Sequence, residues 1–158
     1  MVRLRLIRHS LLRFCQIDNR RRALVVEAVA CLFAARLTLI FIPFPRLAQR
    51  LGIFVPPVDL YATQAKSGTM SNQAKLAEEI GWAVTRSARY MPFKAVCLPQ
   101  AMAARVMLKR RGVASVMHFG AAKGQEKPLD AHAWLDAAGI EVTGYPAAEN
   151  FVEIACLL

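Results

Sequence analysis

The sequence has no CxxC pair, and none of its four cysteines (Cys15, Cys31, Cys97, Cys156) stands at metal-ligand spacing from a histidine. Zinc ribbons and dithiol redox motifs are thereby excluded. It has no glycine-rich phosphate loop, no internal repeat and no low-complexity tract. No cleavable signal pattern precedes its scattered thiols, so a reduced, cytoplasmic protein is expected. Nothing in the residues asks for a metal or a cofactor.

Acid is scarce: 11 Asp and Glu stand against 21 Lys and Arg in 158 residues, a net charge of +10. The imbalance is local. Residues 1–52 hold ten arginines against Asp18 and Glu27, a net of +8, while the rest hold eleven basic residues against nine acidic ones. Interleaved aromatics are few in the basic segment (Phe14, Phe33, Phe41, Phe44), and its arginines ride on apolar helices. That favours a membrane or protein face over nucleic acid. With 56% apolar residues the chain is long enough to bury a real core.

Three regions follow: a basic, apolar helical segment over 1–52, a linker over 53–70 and a catalytic-type domain over 71–158. Val2 to Phe14 reads as a short basic amphipathic helix. Ala23 to Ile42 is the most hydrophobic run, broken only by Glu27, Arg36 and Thr38. Its length suffices to cross a bilayer, with Arg20-Arg21-Arg22 on the cytoplasmic side. Glu27 and Arg36 would each cost about 2.5–3.5 kcal/mol at the centre of a span. The pattern therefore favours a long helix packed on the C-terminal domain, its other side free to rest on a membrane surface. Arg46 to Gly52 reads as a short basic helix, and Pro56-Pro57 marks the linker. Ser71 caps a helix reaching about Tyr90, with Ala77, Ile80, Val84, Ala88 and Met91 at helical spacing.

Ala95 to Arg105 is the stretch that carries chemistry. Pro99 suits a first helical position, which sets Cys97 just ahead of a helix N-terminus, where open N–H groups and the macrodipole favour an anion. The thiolate is the nucleophilic form of cysteine. Cys97, Ala101, Ala104 and Leu108 form one stripe, and Gly112 stops the helix after Lys109-Arg110-Arg111. Val113 to Gly120, Ala131 to Asp136, Ile140 to Tyr145 and Phe151 to Cys156 read as strands, the middle two a hairpin. His132 alternates with Ala131 and Ala133 and is the base expected for Cys97. His118 reads as structural, and Cys31 and Cys156 as packing residues.

Cys97-Leu98-Pro99-Gln100-Ala101-Met102-Ala103-Ala104-Arg105, the Arg110-Arg111-Gly112-Val113 exit and Ala131-His132-Ala133-Trp134-Leu135 resemble the lasso-peptide B2 proteins, transglutaminase-like cysteine proteases that remove a leader peptide. Ala83-Val84, Met91-Pro92-Phe93, Val142-Thr143-Gly144 and Phe151 extend the likeness, which covers roughly the last ninety residues. It implies an α+β fold: a papain/transglutaminase-like core of helices on a small antiparallel sheet, with the N-terminal helical segment added. It also implies a Cys97–His132 pair, a lasso precursor as substrate, a separate B1-type leader-recognition protein and a lasso cyclase as partners.

The resemblance further calls for an aspartate on the strand after His132. Pairing outward from Ala137–Gly139 sets Glu141 near Asp136, Thr143 near Trp134 and Tyr145 near His132, so that aspartate falls around Gly144-Tyr145, where there is none. Asp130, on the His132 strand face, is the first substitute; Glu149, Asn150 or a backbone carbonyl could also hold the ring. Other cysteine-based acyl transfer on a peptide (crosslinking or deamidation) and a non-catalytic scaffold are the competing functions.

Overall fold

The computed structural model describes residues 18–42, 54–55, 72–124 and 128–158. The helices expected over 2–14 and 46–52 and the Ser71 cap lie outside them.

Helix α1 (Asn19–Phe41) buries Leu24, Ala28, Cys31, Leu32 and Ala35, spaced i, i+4, i+7, i+8 and i+11. This is the single inward stripe expected of a packed helix. It lies on α2 (Asn72–Ala88) and α3 (Cys97–Lys109). Alanines dominate the junction: Ala28, Ala77, Ala83, Ala101 and Ala104 are all fully buried, so the helices meet with short side chains between them. Larger plugs such as Leu32, Ile80, Met107 and Leu108 are also fully buried, each contributing about 1.5–3 kcal/mol.

Glu27, the acid that interrupts the apolar run, has a partner. Arg111 Nη2 lies 2.5 Å from its Oε2 and Arg110 Nη1 lies 3.3 Å from its Oε1. The Arg111 hydrogen bond holds the Glu27 carboxyl below its usual range despite partial burial. Two turns earlier, at the start of α1, Arg20 reaches Glu79 at 2.9 Å. By length and composition α1 could cross a membrane, yet one face belongs to the core. Its opposite face exposes Val26, Phe33, Leu37, Ile40 and Phe41.

The sheet is antiparallel throughout, in the order β1-β5-β2-β3-β4. Its strands are β1 (Phe54–Val55), β2 (Val116–Ala122), β3 (Asp130–Ala137), β4 (Ile140–Thr143) and β5 (Val152–Leu157). Within the segment expected as a linker, ahead of the prolines, Phe54–Val55 add a short edge strand against Leu157 and Cys156. Ala138 and Gly139 both take positive φ (51° and 75°), the two-residue hairpin turn whose twist matches its strands.

Met117, Leu135, Ala137 and Leu157 face the helices and join their core. Alternation sends His118, His132, Trp134 and Asp136 to the other face. The fold is therefore α+β, with the three helices of the described residues on one side of a small antiparallel sheet.

Candidate active site

Helix α3 begins with Cys97 itself, with Val96 as an extended N-cap that offers no side-chain bond. Pro99 consequently sits at the third helical position instead of the first. The substitution is harmless there, because the first four N–H groups of a helix have no internal partner. The opening turn keeps free N–H groups beside a half-buried thiol. Gln100 Nε2 donates to the Ala95 carbonyl at 2.7 Å and fixes the loop that delivers Cys97.

The other described thiols are unsuited to attack. Burial pushes the Cys31 thiol up. Burial, with a hydrogen bond to Glu153, pushes Cys156 up to about 12. A thiol held protonated is neither nucleophile nor leaving group at neutral pH. Cys15 lies outside the described residues.

His132 lies on β3 opposite Gly120, its ring stacked between Phe151 at 4.9 Å and Trp134 at 6.1 Å. Its Nε2 is 2.7 Å from the Gly144 carbonyl oxygen. A carbonyl only accepts, so Nε2 carries the hydrogen, and the neutral ring keeps its lone pair on Nδ1. That is the tautomer of a general base.

The Gly144 geometry also accounts for the missing aspartate. Leu135 pairs with Thr143 and Asp136 with Glu141, so a bulge at Val142 shifts the expected register by one. Gly144, at φ +94°, is thereby pressed onto β3. A Cβ on it would lie 2.6 Å from Trp134 Cβ and 2.8 Å from the Ala133 oxygen. No side chain fits, and the backbone itself meets the imidazole. Tyr145 is carried elsewhere, its hydroxyl donating to Asp136 Oδ1 at 2.7 Å.

Asp130 is exposed at the start of β3, opposite Ala122, and among the described residues it makes no hydrogen bond to His132. Glu149 and Asn150 are exposed on the short 3-10 turn Ala147–Asn150. Cys97 Sγ and His132 are likewise not hydrogen-bonded to one another. The thiol opens a helix on one side of the sheet, and the imidazole stands on the other face. The β4 ladder covers β3 from Leu135 to Ala137, and beyond it Gly144 and Phe151 lie against His132.

Residues 38–156 match the transglutaminase-like superfamily, about three quarters of the chain. The chain belongs to the transglutaminase-like superfamily. The match takes in the Cys97 helix, the His132 strand and the end of α1. Neither the curated proteins nor the solved structures include a match to it. Transglutaminase-like chemistry is cysteine-based, either acyl transfer or peptide hydrolysis.

The sequence alone did not disclose a polar cluster beside this site. His118 is buried and stacked flat on Trp134, with centroids 5.5 Å apart and planes 7° apart. Its Nδ1 lies 2.5 Å from Glu153 Oε1 and its Nε2 lies 3.3 Å from Asp136 Oδ2. Burial opposes charge on the ring, but the hydrogen bonds to Asp136 and Glu153 outweigh it and the His118 pKa is raised. Cys156 Sγ donates to Glu153 Oε1 at 2.7 Å, so Cys156 is more than the packing residue its apolar neighbours suggest.

Proposed function

We propose that this protein is a cysteine peptidase that removes the leader from a lasso-peptide precursor. Cys97 Sγ attacks the scissile carbonyl, and its proton passes to His132 Nδ1. The amine leaves with that proton, and water then releases the acyl group from sulfur. The backbone N–H of Cys97, free at the helix start, is placed to donate to the oxyanion. The observation that carries the proposal is the hydrogen bond from His132 Nε2 to the Gly144 carbonyl. It fixes the basic tautomer in a protein whose family uses a cysteine nucleophile.

This step requires Cys97 Sγ and His132 Nδ1, which stand on opposite faces of the sheet, to be brought together as substrate binds; catalytic hydrogen bonds absent or long in a free enzyme form or tighten in its complex. Asp130, exposed at the start of β3, adds a supporting charge, and the Gly144 carbonyl is the orienting group. The leader is held by a separate B1-type recognition protein, a cyclase takes the released core peptide, and the outer face of α1 gives a peripheral membrane contact in the cytoplasm.

The test is incubation with a co-encoded precursor and its recognition protein, followed by peptide masses. Hydrolysis splits the precursor and adds one water. Crosslinking or deamidation changes mass without splitting, and either outcome would replace peptidase by acyl transferase.

A further inference from the structure

The cluster on the outer sheet face is built by an irregularity. Phe119 pairs with Ala155, but Gly120 pairs with Glu153, so Ile154 is an extra residue in β5. In a regular strand Glu153 and Cys156, three apart, would point to opposite faces. The bulge brings both to the face of His118, which pairs directly with Cys156. Bulges commonly serve to re-aim a side chain. Ile154, the residue set aside, is 60% exposed.

The result is a nitrogen, an oxygen and a sulfur donor whose ligand atoms all lie within 4.8 Å of one another. We propose that His118, Glu153 and Cys156 form a binding site for one divalent ion of the zinc class. Mixed imidazole, thiolate and carboxylate donors select such an ion over calcium or magnesium. The surroundings fit as well as the donors. With Nδ1 facing the ion, His118 donates its Nε2–H to Asp136, and Asp136 is itself held by the Tyr145 hydroxyl. A carboxylate behind the ligating histidine is the usual support of a zinc site, fixing the tautomer and strengthening the ligand.

With metal bonds of about 2.0–2.3 Å, the donors need about 3.3–3.6 Å between them. Glu153 therefore has to swing outward by about 1 Å, which its partly exposed side chain allows. An ion there ties β2 to β5, and it lies behind the ring stack that continues through Trp134 to His132. This inference does not depend on the proposed peptidase activity.

The test uses the full chain, stripped with a strong chelator and titrated with Co²⁺, then Zn²⁺. One equivalent of Co²⁺ should give tetrahedral d–d bands and a sulfur-to-cobalt charge-transfer band, both erased by one equivalent of Zn²⁺. Binding should release protons, because the Cys156 thiol must give up its own to ligate. A Cys15→Ala, Cys31→Ala, Cys97→Ala triple variant should keep the charge-transfer band, and Cys156→Ala should lose it. Asp136→Asn should weaken binding about 10–100-fold. The proposal is overturned if the wild type shows no sulfur band, or if the band disappears in the triple variant. Should Cys156→Ala fail to fold, the triple variant, with Cys156 as its sole thiol, decides alone.

Discussion

Replacing Gly144 by alanine tests the site where its geometry is tightest. The new Cβ would lie 2.6 Å from Trp134 Cβ and 2.8 Å from both Trp134 Cα and the Ala133 oxygen. Ordinary carbon contacts are about 3.5–4.0 Å. All three atoms are backbone or fixed to it, so none can rotate aside. Forcing a residue with a Cβ to positive φ costs about 1–2 kcal/mol, and overpacking a filled site about 1–3 kcal/mol. A loss of roughly 2–5 kcal/mol is expected, a large share of the total for a domain this size. Relief requires 144–145 to lift from β3, and a shift of about 1 Å takes the 2.7 Å bond from His132 out of range. Losing the orienting partner in a related triad costs about 10⁴ in rate, less where the nucleophile is a thiol. Single-turnover cleavage by the folded fraction should therefore fall about 10- to 10³-fold. Urea unfolding and precursor cleavage measure the two effects. A Gly144→Ala protein with the wild-type urea midpoint and wild-type rate would refute both the close approach and the role of the carbonyl.

Cys97→Ala should abolish cleavage with an unchanged urea midpoint, whereas Cys31→Ala should keep cleavage; a fast Cys97→Ala protein would identify the wrong thiol. Asp130→Asn and Glu149→Gln should each stay within a few-fold of wild type in single-turnover assays, because His132 Nε2 is engaged by Gly144; a loss approaching that of Gly144→Ala would show that the carboxylate orients the ring. Leu32→Ala, at a fully buried position, should cost about 2–5 kcal/mol in urea unfolding, while Leu37→Ala on the outer face of α1 should cost within about 0.5 kcal/mol; equal effects would mean that α1 does not dock as described. The raised His118 pKa stabilises the fold fully below the unfolded value of about 6.5, and this contribution fades as pH rises through the higher folded value. Unfolding free energy measured from pH 5.5 upward should carry that slope in the wild type and lack it in His118→Gln.

Periodicity made much of the fold legible. The Cys97 stripe, the Gly112 stop, the alternation around His132 and the hairpin turn are local patterns, and each is found where the residues place it. Two single-residue irregularities were not legible. The extra residue at Val142 carries Gly144 to His132 and sends Tyr145 to Asp136; the extra residue at Ile154 aligns Glu153 with Cys156. A bulge changes no composition and breaks no alternation strongly enough to be seen, yet it reverses every facing beyond it. The edge strand Phe54–Val55 escaped for another reason: two residues carry no period at all, and only their partner on β5 makes them a strand.

The bond between Glu27 and Arg111 has a consequence in time. Its two ends are 84 residues apart in the chain, and translation adds about 5–20 residues per second. For roughly 4–17 s of synthesis, then, the most apolar segment is out of the ribosome's active centre while the arginines that engage its one acid have not been made. Throughout that interval the nascent helix has two greasy faces, an unengaged carboxylate and three arginines ahead of it. The ion pair that ties α1 to the end of α3 therefore cannot form until Arg110 and Arg111 have been made, long after α1 itself.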